Sequence, residues 1–392
     1  MDSHGKRTDP YRVLFPFGIF AGIAGVSIWP AYYFGLTAGY SGRAHSFVQI
    51  EGFVYAFVAG FLLTAIPRFT GTEPPGRTAQ FILAGIILSS AAAFEFQIER
   101  IGHIGFLVAH IFVITLVARR FAHRRNPPPE TFPLIGLGLF AGLAGGIINA
   151  AVAWQALDPS FDPLGKRLLT EGMLLLLVLG VGSFLGPRLM GFAQIPDFEK
   201  IGRLSSKTGL SFWARNQSYV LALAGMTIIS ALVAEYRFQI GWASYLRAAL
   251  VTTIVATKIQ PWRLPAVRTT LAWCVWTSFL FLLSGLWISA AAPRYRVDFL
   301  HIVFIGSFTL LILAVGTRVT LSHGGHSLNA ERRSWVLRIG AGAVIVAMFA
   351  RAGAPFAAES FFEHLAIAAL LWIAALSIWG YYVVGLLRTP PK

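Results

Sequence analysis

HSFVQIEGFVYAFVAGFLLTAIPRFTG, residues 45–71, is apolar almost throughout, with an acid, Glu51, toward one end and a base, Arg68, toward the other. Seventeen positions separate the two. At about 1.5 Å per helical residue that is about 25 Å, close to the thickness of a bilayer's hydrocarbon core. The segment therefore reads as a membrane-spanning helix with an ionisable group near each face. Two further runs match its second half. VAGFLLTAIPRFTG (58–71) aligns with VLGVGSFLGPRLMG (178–191) and TLLILAVGTRVTLS (309–322), so Arg68, Arg188 and Arg318 close equivalent runs. Seventeen positions before them stand Glu51, Glu171 and His301. FPFGIFAGIAG (15–25) and PLIGLGLFAGLAG (133–145) form another matching pair. Self-similarity at this spacing predicts a repeated membrane unit.

Composition agrees with a membrane chain. Of 392 residues 56% are hydrophobic and 12% charged, and the mean hydropathy is +0.66. The net charge of +15 is spread between apolar runs rather than along one stripe, so it signals membrane topology and not nucleic acid. A single cysteine, Cys274, excludes an intrachain disulfide and a thiolate cluster. The polar start MDSHGKRTDPYR precedes an apolar run without a small-residue cleavage signal, which reads as a retained helix.

Windows of about 20 apolar residues give twelve candidate helices. They are 11–35, 44–66, 78–97, 101–121, 132–154, 170–189, 212–234, 242–259, 266–290, 298–320, 335–352 and 359–387. With the N-terminus inside, most of the 32 lysines and arginines fall in inside segments, including RRFAHRR (119–125) and ERR (331–333). That bias predicts an even helix count and both termini cytoplasmic. The three arginines end helices two, six and ten. The expected fold is thus all-α: a single membrane domain over 1–392, about 12 transmembrane helices in three repeats of four, at 11–121, 132–259 and 266–387. The connection at 191–211 is the longest on the inside and is expected to be a surface segment without a domain of its own.

Five of the nine histidines, His45, His103, His110, His301 and His364, lie in the outer half or middle of helices two, four, ten and twelve. Neutral imidazole ligates haem iron, copper or zinc, and it also serves as a packing donor or proton relay. No HExxH, CxxC, P-loop or GxGxxG opening a helix occurs, so any site is assembled between helices. His45 and His301 sit at roughly matching depth, about 9 Å apart along a helix axis when counted from the aligned arginines. This permits a haem between them. Glu51 and Glu171, at the position that His301 holds, are candidates to ligate a metal, move protons or pair with arginine. Arg68, Arg188 and Arg318 read either as snorkelling anchors or as partners for haem propionates.

Three segments carry a family resemblance over most of the chain. RVLFPFGIFAGIAGVSIW (12–29) resembles the opening PFRPFF-type helix of NnrS proteins, and residues 45–71 resemble their HAHE…AGFLLTAVPNWTG segment. HIVFIGSFTLLILAVGTRVTLSHGGHSL (301–328) is similar to their HA…GTMILAVMTRVSLGHTG segment. The resemblance implies a haem- and copper-containing membrane protein, planned like the catalytic subunit of haem–copper oxidases, in nitric oxide metabolism, denitrification or nitrosative-stress tolerance. It implies His45 as the first histidine of HAHE, and His301, Arg318 and His323 as the matching residues of the tenth helix. The chain departs from the pattern at Phe47 and Val48, which replace the second histidine and the glutamate, and at Arg68, which replaces an asparagine. Helices six and seven contain no histidine for an oxidase-type copper site.

The resulting expectation is a b-type haem on His45 and His301, with His103, His110 and His364 as a second group, Arg68 and Arg318 as propionate partners, and Glu51, Glu171 and His323 as further metal candidates. Its expected partners are the lipid bilayer, nitric oxide and a redox protein. A second expectation is a haem-free, proton-coupled transporter of a small anion or metal ion, and a third is an assembly factor whose histidines only pack.

Overall fold

The computed structural model describes residues 9–193 and 212–388, and among them there are helices and no strands. From residue 194 onward, the connection expected at 191–211 lies outside the described residues. The helices are α1 (Tyr11–Tyr33), α2 (Gly42–Thr70), α3 (Arg77–Glu95), α4 (Glu99–Ala122), α5 (Phe132–Ala153), α6 (Pro159–Leu189), α7 (Phe212–Phe238), α8 (Trp242–Lys258), α9 (Thr270–Ala291), α10 (Pro293–Gly324), α11 (Trp335–Gly353) and α12 (Phe361–Arg388). Among the described residues eleven helices are long and apolar enough to cross a membrane; α8, with 17 residues, is shorter.

Side-chain oxygens start several helices. Ser41, Thr269 and Ser334 each accept a backbone N–H three residues on, opening α2, α9 and α11. Glycines stop the three arginine-bearing helices. Gly71, Gly191 and Gly325 take φ values of 67°, 82° and 71°, a left-handed turn that a side chain would strain.

The neighbour relations recur every four helices. α1 packs on α3, α5 on α7 and α9 on α11, while α2 packs on α4, α6 on α8 and α10 on α12. The contacts α4–α5, α8–α9 and α12–α1 then close a ring. Inside it α2, α6 and α10 surround an apolar cavity of about 120 Å³, lined by Phe57, Phe61, Val178, Val181, Phe308 and Val315 among others. Around the cavity, indole N–H groups tie helices that packing alone would leave free to slide. Trp372 and Trp379 of α12 donate to Thr309 Oγ1 (3.1 Å) and Thr317 Oγ1 (2.9 Å) of α10.

α2, α6 and α10 share one irregularity. Each contains a stretch of wide, π-helical turns, at Val48–Val54, Leu168–Leu174 and Ile302–Thr309. Such turns rotate the residues that follow, and they are frequent at functional sites. α6 and α10 also begin earlier than their apolar windows suggest, at Pro159 and Pro293 rather than near 170 and 298. The extra turns carry Asp162, Lys166, Arg167, Arg294 and Arg296, several of which find partners inside the bundle.

Candidate functional site

The expected site residues separate into distinct groups. At the end of the bundle away from the three arginines, His45 of α2 and His301 of α10 lie within electrostatic reach of each other and of Arg351 on α11. His45 donates Nδ1–H to the Gly25 carbonyl of α1 (2.7 Å), and its ring meets Trp29 edge-on at 5.4 Å. His301 donates Nδ1–H to Val297 O, one turn back in its own helix (2.7 Å). Arg351 is held by Asp298 (2.8 Å). Fixing Nδ1–H on a carbonyl selects the tautomer whose Nε2 carries a lone pair and fixes the ring's direction, which is how metal-ligating histidines are usually prepared. Among the described residues neither Nε2 has a hydrogen-bond partner. Each imidazole therefore keeps one nitrogen available for a ligand bond.

Glu51 and His103 form a second group. Both side chains are fully buried, with Oε1 3.5 Å from Nδ1. Phe47 and Phe94 pack edge-on around the imidazole at 4.5 and 4.9 Å. Neither carboxyl oxygen and neither ring nitrogen makes a hydrogen bond.

His110, seven residues further along α4, is fully engaged. Tyr55 donates its hydroxyl to Nδ1 (3.0 Å) and Nε2–H donates to Leu139 O (2.8 Å), leaving no lone pair for a metal. His364 donates Nδ1–H to Ser360 O (2.9 Å) at the start of α12.

Glu171 has a different chemistry from Glu51, although it occupies the matching position. It binds Arg247 of α8 (3.0 Å) and Arg296 of α10, and Arg247 also holds Glu235 (2.6 Å), which Arg167 reaches at 3.2 Å. Two guanidiniums occupy the lone pairs that a metal would need. The remaining expected residues sit at the opposite end. Arg68 and His323 both face Asp9 at 3.9 Å, and Arg318 pairs with Glu331 at 2.5 Å. Arg68 and Arg318 are thus 23 and 17 positions of helix away from His45 and His301, whereas Arg351 interacts with both histidines. Among the described residues no cluster of three or more His, Cys, Asp or Glu side chains could hold a metal ion.

Sequence reading missed Arg351, Arg247, Arg296 and Lys166. The signal for Arg247 was present, an arginine five residues into an apolar run and only 3% exposed, but its acidic partners lie on other helices. Nothing local marks Arg351 or Lys166.

Fold and site together define a multi-pass helical membrane protein with one histidine pair and one acid–histidine pair built between its helices. The sequence profile of the NnrS protein family matches residues 7–390, nearly the whole chain, and the protein belongs to that family. No curated protein matches the chain significantly.

Proposed function

We propose that the protein binds a b-type haem between His45 and His301 and acts in nitric oxide handling or nitrosative-stress tolerance at a bacterial inner membrane. The observation that carries this reading is the shared preparation of the two imidazoles, each with Nδ1–H on a backbone carbonyl and a free Nε2. A haem there supplies an iron that exchanges one electron, or binds a diatomic gas if one histidine lets go. Arg351, neutralised in part by Asp298, stands where an anionic propionate needs a cation. Trp29 walls the His45 side. The central cavity is apolar and roomy enough for a small apolar molecule such as nitric oxide. The lysine and arginine distribution supports a cytoplasmic setting for the Arg68–Arg188–Arg318 end and for both termini.

Absorption spectra of the purified protein, oxidised, reduced and then exposed to nitric oxide, test the reading. His301→Ala and His45→Ala are expected to lose most of the Soret band and His123→Ala to keep it; equal haem content in all three removes the ligand assignment. Sharp reduced bands indifferent to nitric oxide indicate two histidines on iron, and a shifted band indicates an open position. The unpaired Glu51–His103 group favours a second reading, proton-coupled transport of a small anion or metal ion. Haem-free protein that accumulates such an ion under a pH gradient in proteoliposomes selects it.

A further inference from the structure

The Glu51–His103 group is used by neither the haem reading nor the packing of α2 on α4. Its four polar atoms are buried without a hydrogen bond, although burial normally requires such groups to be paired. Its setting is specific. Glu51 lies on the π-helical stretch of α2, and His103 is clamped by the Phe47 and Phe94 rings. Glu171, at the matching place in α6, is held by two arginines, whereas among the described residues no arginine pairs with Glu51.

The groups facing the pair can be named element by element. α2 itself offers Arg43, which is tied to Glu99 (2.7 Å) and Asp162 (2.5 Å), and Tyr55 one turn beyond, which is tied to His110. α6 offers Lys166, whose ammonium sits 4.7 Å above the Phe47 ring, and Asp162. α4 offers Glu99 and His110. α3 offers Glu95 at its exposed end and the Ser90 hydroxyl, which donates to Gly102 O. α1 brings no titratable side chain alongside.

An isolated charge in such a place is costly, and so is a neutral acid beside a neutral imidazole with nothing between them. One proton held between Oε1 and Nδ1 removes both penalties, either as acid and imidazole or as carboxylate and imidazolium, and the pair stays neutral overall. A small closing movement from 3.5 Å makes the hydrogen bond. Lys166 (4.7 Å) and Arg43 (5.1 Å) both lie over the Phe47 ring, which packs against the His103 imidazole at 4.5 Å.

We propose that Glu51 and His103 form a proton-binding site in the membrane interior, filled from the histidine end of the bundle by way of Lys166. The balance is simple. Lys166 passes a proton inward and is reprotonated by water at the Arg43–Asp162–Glu99 cluster, and no bond other than N–H and O–H is made or broken.

The test is infrared difference spectroscopy of the full chain in lipid nanodiscs after a pH step, in H₂O and D₂O. The expected result is a deuterium-sensitive protonated-carboxyl C=O band that Glu51→Gln removes and His103→Gln displaces. Lys166→Met is expected to slow its appearance about tenfold or more while leaving the band itself in place. Persistence of the band in Glu51→Gln, its absence from the wild-type protein, or an unmoved band in His103→Gln overturns the proposal; an unchanged rate in Lys166→Met overturns the route. Protection of the buried Cys274 thiol shows that each variant is folded, and if Glu51→Gln fails that check, His103→Gln decides. The band is read with or without haem, so loss of the haem reading leaves this result standing, and the reverse.

Discussion

Removing the charge from Glu171 is expected to cost far more than removing Arg247, although the two are bonded to each other. Glu171 and Arg247 have side chains only 4% exposed, and the surrounding network holds three guanidiniums, Arg167, Arg247 and Arg296, against two carboxylates, Glu171 and Glu235. Glu171→Gln leaves three buried or half-buried cations facing Glu235 alone. Breaking a buried pair this way costs about 3–5 kcal/mol, because a charge is left without compensation. Arg247→Met instead leaves two cations and two anions, with Arg296 on Glu171 and with Arg167 and Arg296 (3.6 Å) on Glu235. Its cost reduces to lost hydrogen bonds and the fit of a methionine, about 1–2 kcal/mol. The assay is thermal unfolding in detergent followed by a thiol-reactive fluorophore, since the chain's sole cysteine, Cys274, is buried and reacts only on opening. At one scan rate, because such unfolding is irreversible, Glu171→Gln is expected to melt about 4–6 °C below wild type and Arg247→Met less than about 3 °C below. An Arg247→Met protein as unstable as Glu171→Gln would refute the reasoning, since the surplus of positive charge would then not govern the network.

Trp379→Phe removes the indole N–H that donates to Thr317 while Thr317 keeps its own bond to Leu313 O, so a loss of about 1 kcal/mol is expected in the same melting assay. Orientation is open to labelling: in a Cys274→Ala background Gly39→Cys is expected to react with an impermeant maleimide added to intact cells, and Gly76→Cys only after lysis. Both glycines have open space around them, so neither substitution disturbs the packing. Burial beside the α1 start raises the Asp9 carboxyl above its ordinary range, against the pull of Arg68 and Arg12. Its protonated form therefore favours the folded state; that contribution is complete at acid pH and is lost as pH rises through the raised value. Asp9→Asn is expected to flatten this part of the stability–pH curve.

The residues that made the fold legible were apolar runs closed by arginine and glycine. Residues 45–71 announced α2 because a helix facing lipid or other helices must be apolar for its whole length. The first turns of α6 and α10 were not legible, because Arg167, Arg296 and Asp298 look like loop charges until Glu235, Glu171 and Arg351 are seen beside them. His45 and His301 stood out by type and depth, and the family resemblance singled them out. His110 had the same type and a similar depth, yet its two hydrogen bonds come from Tyr55 and Leu139, residues 55 and 29 positions away. No local pattern distinguishes a histidine with a free nitrogen from one without. Arg351 was invisible as a partner for the same reason.

The distribution of chemistry around the ring follows from substitutions at like positions. His45 bonds the Gly25 carbonyl; 120 residues further on, Gly165 lies against the Gly145 carbonyl, where even a Cβ would approach to 3.0 Å. The place that Trp29 fills beside His45 is held by Asn149, packed on Gly165 with its amide unpaired. The backbone scaffold at the two places is alike, but the second has no imidazole and no room for one. There Glu171 and its arginines join α6, α8 and α10 by charge. The third helix of the set puts His301 where the acids stand in the other two. Of the three aligned positions, α10 carries the imidazole and α2 the acid that no arginine pairs among the described residues. The functional asymmetry of the ring is therefore a matter of which side chains were placed on a common frame, with the ion network closing the side that carries neither.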